Sequence, residues 1–168
     1  AIQLALSVVE GMNTSLGGGG VMLYYDHKRK ETKILNGQGQ APSAVTPDLF
    51  FDEKGELLPF EERSTNPRAV AVPGAMKMLE LALDTYGSMS LERLIDPAIQ
   101  LAEEGFRVNS SWERTLDNFQ DRLGEEAKKV FVPGGQPLRE GDKLRRSDLA
   151  KTLKIIQNEG FSAFYQGE

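Results

Sequence analysis

The chain contains no cysteine. That excludes disulfides, thiolate metal sites and a cysteine nucleophile, and leaves the compartment open. Histidine and tryptophan occur once each, as His27 and Trp112. No stretch is long and apolar enough to span a bilayer. Positive charge is not in excess, with 20 basic residues against 25 acidic ones and a net charge of -5. This argues against nucleic acid as a partner, because neutralising phosphates requires a clustered basic surface. The basic runs, Lys28-Arg29-Lys30 and Arg145-Arg146, are short and lie beside turn signals, so both read as solvated loops. The sequence also lacks an HExxH pair, a carboxylate cluster with metal spacing and a Gly-x-Ser-x-Gly elbow. It therefore points to no metal and no cofactor.

What is present is a chain of 168 residues, 39% hydrophobic, enough for one domain or a large part of one. Residues 1–9 are apolar on most sides from the first position. Ile2, Leu4, Ala5, Val8 and Val9 predict a buried helix that no polar cap precedes. Four glycines, Gly17 to Gly20, lead into Val21-Met22-Leu23-Tyr24-Tyr25, which reads as a strand with apolar residues on both faces, covered on both sides. Thr32-Lys33-Ile34-Leu35 predicts the returning strand of a hairpin over 21–35. So small a sheet does not stand alone and implies further strands. A break at 36–42, a short helix around Pro47 and a surface loop over 51–67 are expected next.

Helix signals dominate beyond residue 68. Pro73-Gly74 opens a helix with Met76, Leu79 and Leu83 on one face, closed by Gly87. Ser90 caps a short helix with Leu91, Leu94 and Ile95, and Asp96-Pro97 restarts it with Gly105 as the stop. Ser110-Ser111-Trp112-Glu113 has the form of a capping box, followed by an apolar face of Leu116, Phe119 and Leu123. Ser147 opens a last helix with Leu149, Leu153 and Ile156, ending at Gly160. No internal repeat is evident. Apolar residues at both chain ends read as a fragment of something larger.

Two features invite a chemical reading. The glycine run lacks the Gly-Lys-Ser/Thr and following helix of a phosphate loop, so close backbone packing is the better reading. His27 sits in a polar turn beside lysines, with no orienting partner in sight, and reads as solvated. The residues alone describe no complete active site.

Read together, five segments resemble the γ-glutamyltranspeptidase family. They are Leu6-Ser7-Val8-Val9-Glu10-Gly11-Met12 leading to Leu16–Asp26; Gly39-Gln40-Ala41-Pro42-Ser43-Ala44; Ala69-Val70-Ala71-Val72-Pro73-Gly74; Leu94–Phe106; and Gly141-Asp142 through Asp148–Leu153 to Gly160-Phe161 and Phe164–Gly167. They follow the family's order and cover almost the whole chain.

The resemblance implies an α+β chain, part of an αββα N-terminal-nucleophile hydrolase fold. Residues 1–50 would be a piece of that core and residues 51–168 a helical lobe. It implies a precursor that cleaves itself, with this chain from the large subunit and no catalytic residue in it. The partner would be a small subunit whose first residue, a threonine, is both nucleophile and base. The implied substrate is a glutathione-like γ-glutamyl amide; the family favours a periplasmic or secreted setting, with a cytoplasmic one left open. In the family's Arg-Glu-x-Ala-Pro segment an arginine grips the substrate's α-carboxylate. Counting back from Ala41-Pro42, that position is Gln38, the one substrate-binding candidate here. A cephalosporin-acylase-like amide hydrolase and a non-catalytic helical interaction domain remain open as alternatives.

Overall fold

A computed structural model describes residues 1–167. The fold is α+β, and the chain divides into two compact units. One comprises Ala1–Leu16 together with the chain from Leu79 onward, and the other Gly17–Met78.

The first unit is helical. Helices α1 (Ile2–Val9), α4 (Leu91–Glu104) and α7 (Ser147–Glu159) form a layer in which α4 packs against both others. Leu4 and Val8, then Ile95, Ala98, Ile99 and Ala102, then Ala150, Leu153 and Ile156 are its buried contacts. These positions recur at three- and four-residue spacing, so each helix turns one apolar stripe inward. Ile2, expected inside, is 78% exposed. Ser7 takes a buried place and satisfies its hydroxyl on the Leu4 carbonyl at 2.7 Å.

The expected break at Asp96-Pro97 is absent: α4 is continuous, with Pro97 inside it. An internal proline removes one backbone bond and costs about 3 kcal/mol. Burying four apolar residues on one stripe, Ile95 before the proline and Ala98, Ile99 and Ala102 after it, offsets that loss. The Asp96 carboxylate accepts from Gln100 Nε2 at 2.8 Å instead of capping a new helix.

A second cluster is built from Val108, Trp112, Leu116, Leu138 and Leu144, with Met12, Phe106, Leu123 and Phe131 against it. It joins α5 (Ser110–Phe119) and α6 (Glu125–Phe131) to a small antiparallel pair, Phe106–Arg107 with Lys143–Leu144. The cap of α5 is Asn109, whose side chain accepts from Trp112 N at 3.0 Å, and not Ser110. Glu113, the other half of the expected box, accepts from Glu140 N at 2.9 Å and from Arg139. Phe119, expected on the buried face, is exposed.

The second unit holds the predicted hairpin. Strands β1 (Gly20–Asp26) and β2 (Glu31–Gly37) pair antiparallel, Gly20 opposite Gly37 and Leu23 opposite Ile34. The Asp26 carboxylate accepts from Lys28 N and Arg29 N at 2.9 and 3.1 Å, which folds the turn. The predicted helix around Pro47 is absent, replaced by turns. The expected loop at 51–67 contains a bridge between Phe51 and Leu57 and a short helix, α2 (Phe60–Thr65). Glu61 and Glu62 lie in its first turn, where carboxylates complement the free N–H groups. Helix α3 (Ala75–Tyr86) closes at Gly87, as expected.

Candidate functional site

The segment that carries Gln38 is fixed by its backbone. Asn36 Oδ1 accepts the N–H of Gln38 at 3.1 Å, bending the chain as β2 ends. Two residues on, Gln40 pairs with Val72, N–H to carbonyl in both directions, at 3.1 and 2.8 Å. The chain from Val72 then enters α3, where Gly74 N and Ala75 N both donate to the Gly18 carbonyl at 3.2 and 3.1 Å. Free N–H groups at a helix start need acceptors, and here the glycine run provides one.

This arrangement is possible because side chains are missing where backbones meet. A Cβ on Gly74 would lie 2.4 Å from the Gly37 carbonyl oxygen and 2.6 Å from that of Gln38. On Gly37 it would lie 2.6 Å from Met78 Cβ, and on Gly39 2.7 Å from Ala71 Cβ. On Gly19 it would meet the Gly37 carbonyl oxygen and Gly39 N at 3.0 Å. Four glycines from three separate stretches thus enclose the backbone of residue 38. Close backbone packing was the expected role of the glycine run, and Gly18 and Gly19 fill it.

Gln38 itself is exposed, and its side-chain amide has no hydrogen-bond partner among the described residues. The result is a polar group of both donor and acceptor character carried on a backbone that cannot readily shift. His27 is remote in kind from any such framework. It lies exposed in the hairpin turn, edge-on to Tyr25 and 3.4 Å from the Lys30 amine. Among the described residues no group of His, Cys, Asp and Glu could hold a metal ion. No helix of the described chain is long and apolar enough to cross a membrane.

Arg146 departs from expectation. Its Nη1 donates to the Ser7 and Val8 carbonyls at 2.7 and 3.3 Å, and its guanidinium lies 5.7 Å from the Phe131 ring centre. Trp112 Nε1 donates to the neighbouring Val9 carbonyl. The last carbonyls of α1, which no helical N–H can reach, are therefore closed by a cation and an indole. Burial lowers the Arg146 pKa from its ordinary value. Arg145 donates to the Glu104 carbonyl at the end of α4, at 3.3 Å. The Arg145-Arg146 pair is thus a helix-capping element and not a solvated loop. The Lys28-Arg29-Lys30 run is exposed as expected.

On the outward face of the hairpin Val21, Leu23, Tyr25 and Ile34 are 54–69% exposed. They share one side of the pairing register. On the opposite side Leu35 and Gly37 are buried. The expectation of cover on both faces is thus met on one face within the described chain.

Comparison with known proteins places these features. The family model for gamma-glutamyltranspeptidase matches residues 1–168. The chain is 48% identical over 169 residues to the glutathione hydrolase proenzyme of Bacillus subtilis (strain 168), covering 100% of this chain and 29% of that protein. Among solved structures, the gamma-glutamyltranspeptidase of Helicobacter pylori aligns with a TM-score of 0.93 at 35% identity, over 99% of this chain and 48% of that one. Cephalosporin acylase from Bacillus halodurans aligns at 0.81 and 28% identity, over 98% of this chain and 31% of that one. The α+β arrangement is therefore that of the N-terminal-nucleophile hydrolases to which these structures belong, and the chain spans less than a third of the curated relative's length. With the match running from the first residue to the last, the chain belongs to the gamma-glutamyltranspeptidase family.

Proposed function

We propose that this chain is the large-subunit segment of an enzyme that hydrolyses or transfers the γ-glutamyl group of glutathione-like amides. The observation that carries this reading is the family match along the chain's entire length. Residues 1–50 contribute a helix, the hairpin and the Gln38 segment to the sandwich core, and residues 51–168 a largely helical lobe. The nucleophile is a threonine at the start of the small subunit, outside this chain.

In that chemistry the threonine hydroxyl attacks the γ-carbonyl carbon and gives its proton to the threonine's own amine. The C–N bond breaks, and the amine passes that proton to the leaving nitrogen. Water then adds to the acyl-enzyme, frees the γ-carboxylate and restores the hydroxyl. An acceptor amine in place of water gives transfer. No metal or cofactor enters these steps.

Gln38 stands where the family pattern has the arginine that holds the substrate's α-carboxylate. The locked backbone and free amide support a substrate-facing role. An uncharged donor grips a carboxylate less strongly than a guanidinium fork, by about 1.5–3 kcal/mol for a charged hydrogen bond. This same feature favours a second reading, an acylase acting on amides that lack that carboxylate, in keeping with the cephalosporin acylase likeness.

The complete protein tests the leading reading. It is expected to mature into two chains, the smaller beginning with threonine, and to release p-nitroaniline from γ-glutamyl-p-nitroanilide. Maturation without release, together with turnover of a glutaryl amide, would favour the acylase reading instead.

A further inference from the structure

We propose that Asn36-Gly37 is a deamidation site that the glycine enclosure silences in the folded chain, and that reacts when this segment leaves the enclosure. It is the only asparagine-glycine step in the sequence.

The chemistry needs nothing but water. The Gly37 nitrogen gives up its proton and attacks Cγ of the Asn36 side chain. A bond forms between the two atoms, the Cγ–Nδ2 bond breaks, and the amide nitrogen takes up the proton and leaves as ammonia. The product is a cyclic succinimide. Water then opens the ring at one of its two carbonyls. Opening at Cγ leaves aspartate. Opening at the backbone carbonyl leaves isoaspartate, with the former side-chain carbons now in the main chain. Glycine in second place favours the attack, because no Cβ hinders its nitrogen or restricts its backbone.

The Asn36 side chain is exposed, so access of water does not limit the reaction. Backbone geometry does. Asn36 lies in β2, paired opposite Val21. Ring closure brings Asn36 Cβ and Gly37 N to the same side of the Cα–C bond, whereas a strand ψ of about +135° holds them well apart. The side-chain oxygen is also engaged, since Asn36 Oδ1 accepts from Gln38 N at 3.1 Å in the manner of an Asx turn. Turning Asn36 towards closure would swing Gly37, which is buried. The Gly37 carbonyl oxygen would lie 2.4 Å from a Cβ on Gly74, and a Cβ on Gly37 would lie 2.6 Å from Met78 Cβ. Further on, Gln40 is tied to Val72 by two backbone bonds. The same walls leave no room for isoaspartate, whose main chain is one atom longer. Reaction therefore waits for local opening, and its rate in the native protein follows the open fraction.

The test incubates the complete protein at mildly alkaline pH, native and in guanidinium chloride. The peptide spanning residues 36 and 37 is followed by mass spectrometry, with isoaspartate marked by isoaspartyl methyltransferase. The unfolded chain is expected to convert faster than the native one by about tenfold or more. Asn36→Gln, which would have to close a larger ring, should abolish the signal in the unfolded chain. Gly74→Ala, which forces the enclosure open, should raise the rate under native conditions, and Gly17→Ala should not. Equal rates in native and unfolded wild type overturn the inference, as does no conversion at Asn36 in the unfolded chain. A Gly74→Ala rate equal to that of wild type overturns it too, as does isoaspartate at residue 36 in protein that keeps the native unfolding midpoint.

Discussion

At the level of single residues, Arg146 and Trp112 carry more structure than their sequence context suggests. Trp112 is legible as a core residue, being the lone tryptophan in an amphipathic helix. Its N–H partner, the Val9 carbonyl, lies about a hundred positions earlier, beyond any local pattern. Trp112→Phe keeps most of the buried ring but leaves that carbonyl unpaired. A loss of about 1–3 kcal/mol is expected, read as faster hydrogen exchange in the last turn of α1 than in α7. Arg146→Met removes two bonds to Ser7 and Val8 and the cation over Phe131. Loss of a charged donor from helix-end carbonyls should destabilise by about 1.5–3 kcal/mol, with Arg146→Lys recovering part of it in thermal unfolding of the complete protein. Gly11 belongs to the same device, since a Cβ there would lie 2.3 Å from Arg146 Nη1.

At the level of elements, local signals located most helices and the hairpin, and their failures have physical causes. The hairpin was readable because apolar strands flank a polar turn. The break at Asp96-Pro97 was not, because the burial that carries α4 through its proline comes from α1 and α7. Asn109 and Ser110 are both good caps, and only the folded chain distinguishes them, by the bond from Trp112 N to Asn109 Oδ1. The enclosure of Gln38 was legible only in outline. The sequence shows glycines at 19, 37, 39 and 74, but not that they meet.

That enclosure makes a sharp contrast testable. Gly74→Ala would drive a methyl into two backbone carbonyl oxygens, neither of which can swing aside. A loss of at least about 3 kcal/mol is expected. Gly17→Ala, in the same glycine-rich stretch as Gly19, meets nothing within 4 Å, and should be neutral or stabilising by about 0.4–1 kcal/mol. Comparing unfolding midpoints of the two variants in the complete protein checks both. Similar losses in the two would mean that the glycines serve turn flexibility, not backbone contact.

At the level of the molecule, the exposed apolar face of Val21, Leu23, Tyr25 and Ile34 fits a hairpin that is one piece of a larger sandwich. The family assignment was within reach of the sequence because its five segments keep their order. The γ-glutamyl reading itself is tested most directly by giving the complete, matured protein glutathione and following cysteinylglycine and free glutamate together. Saturable release of the two in equal amounts is expected. Intact glutathione after maturation to two chains would contradict it.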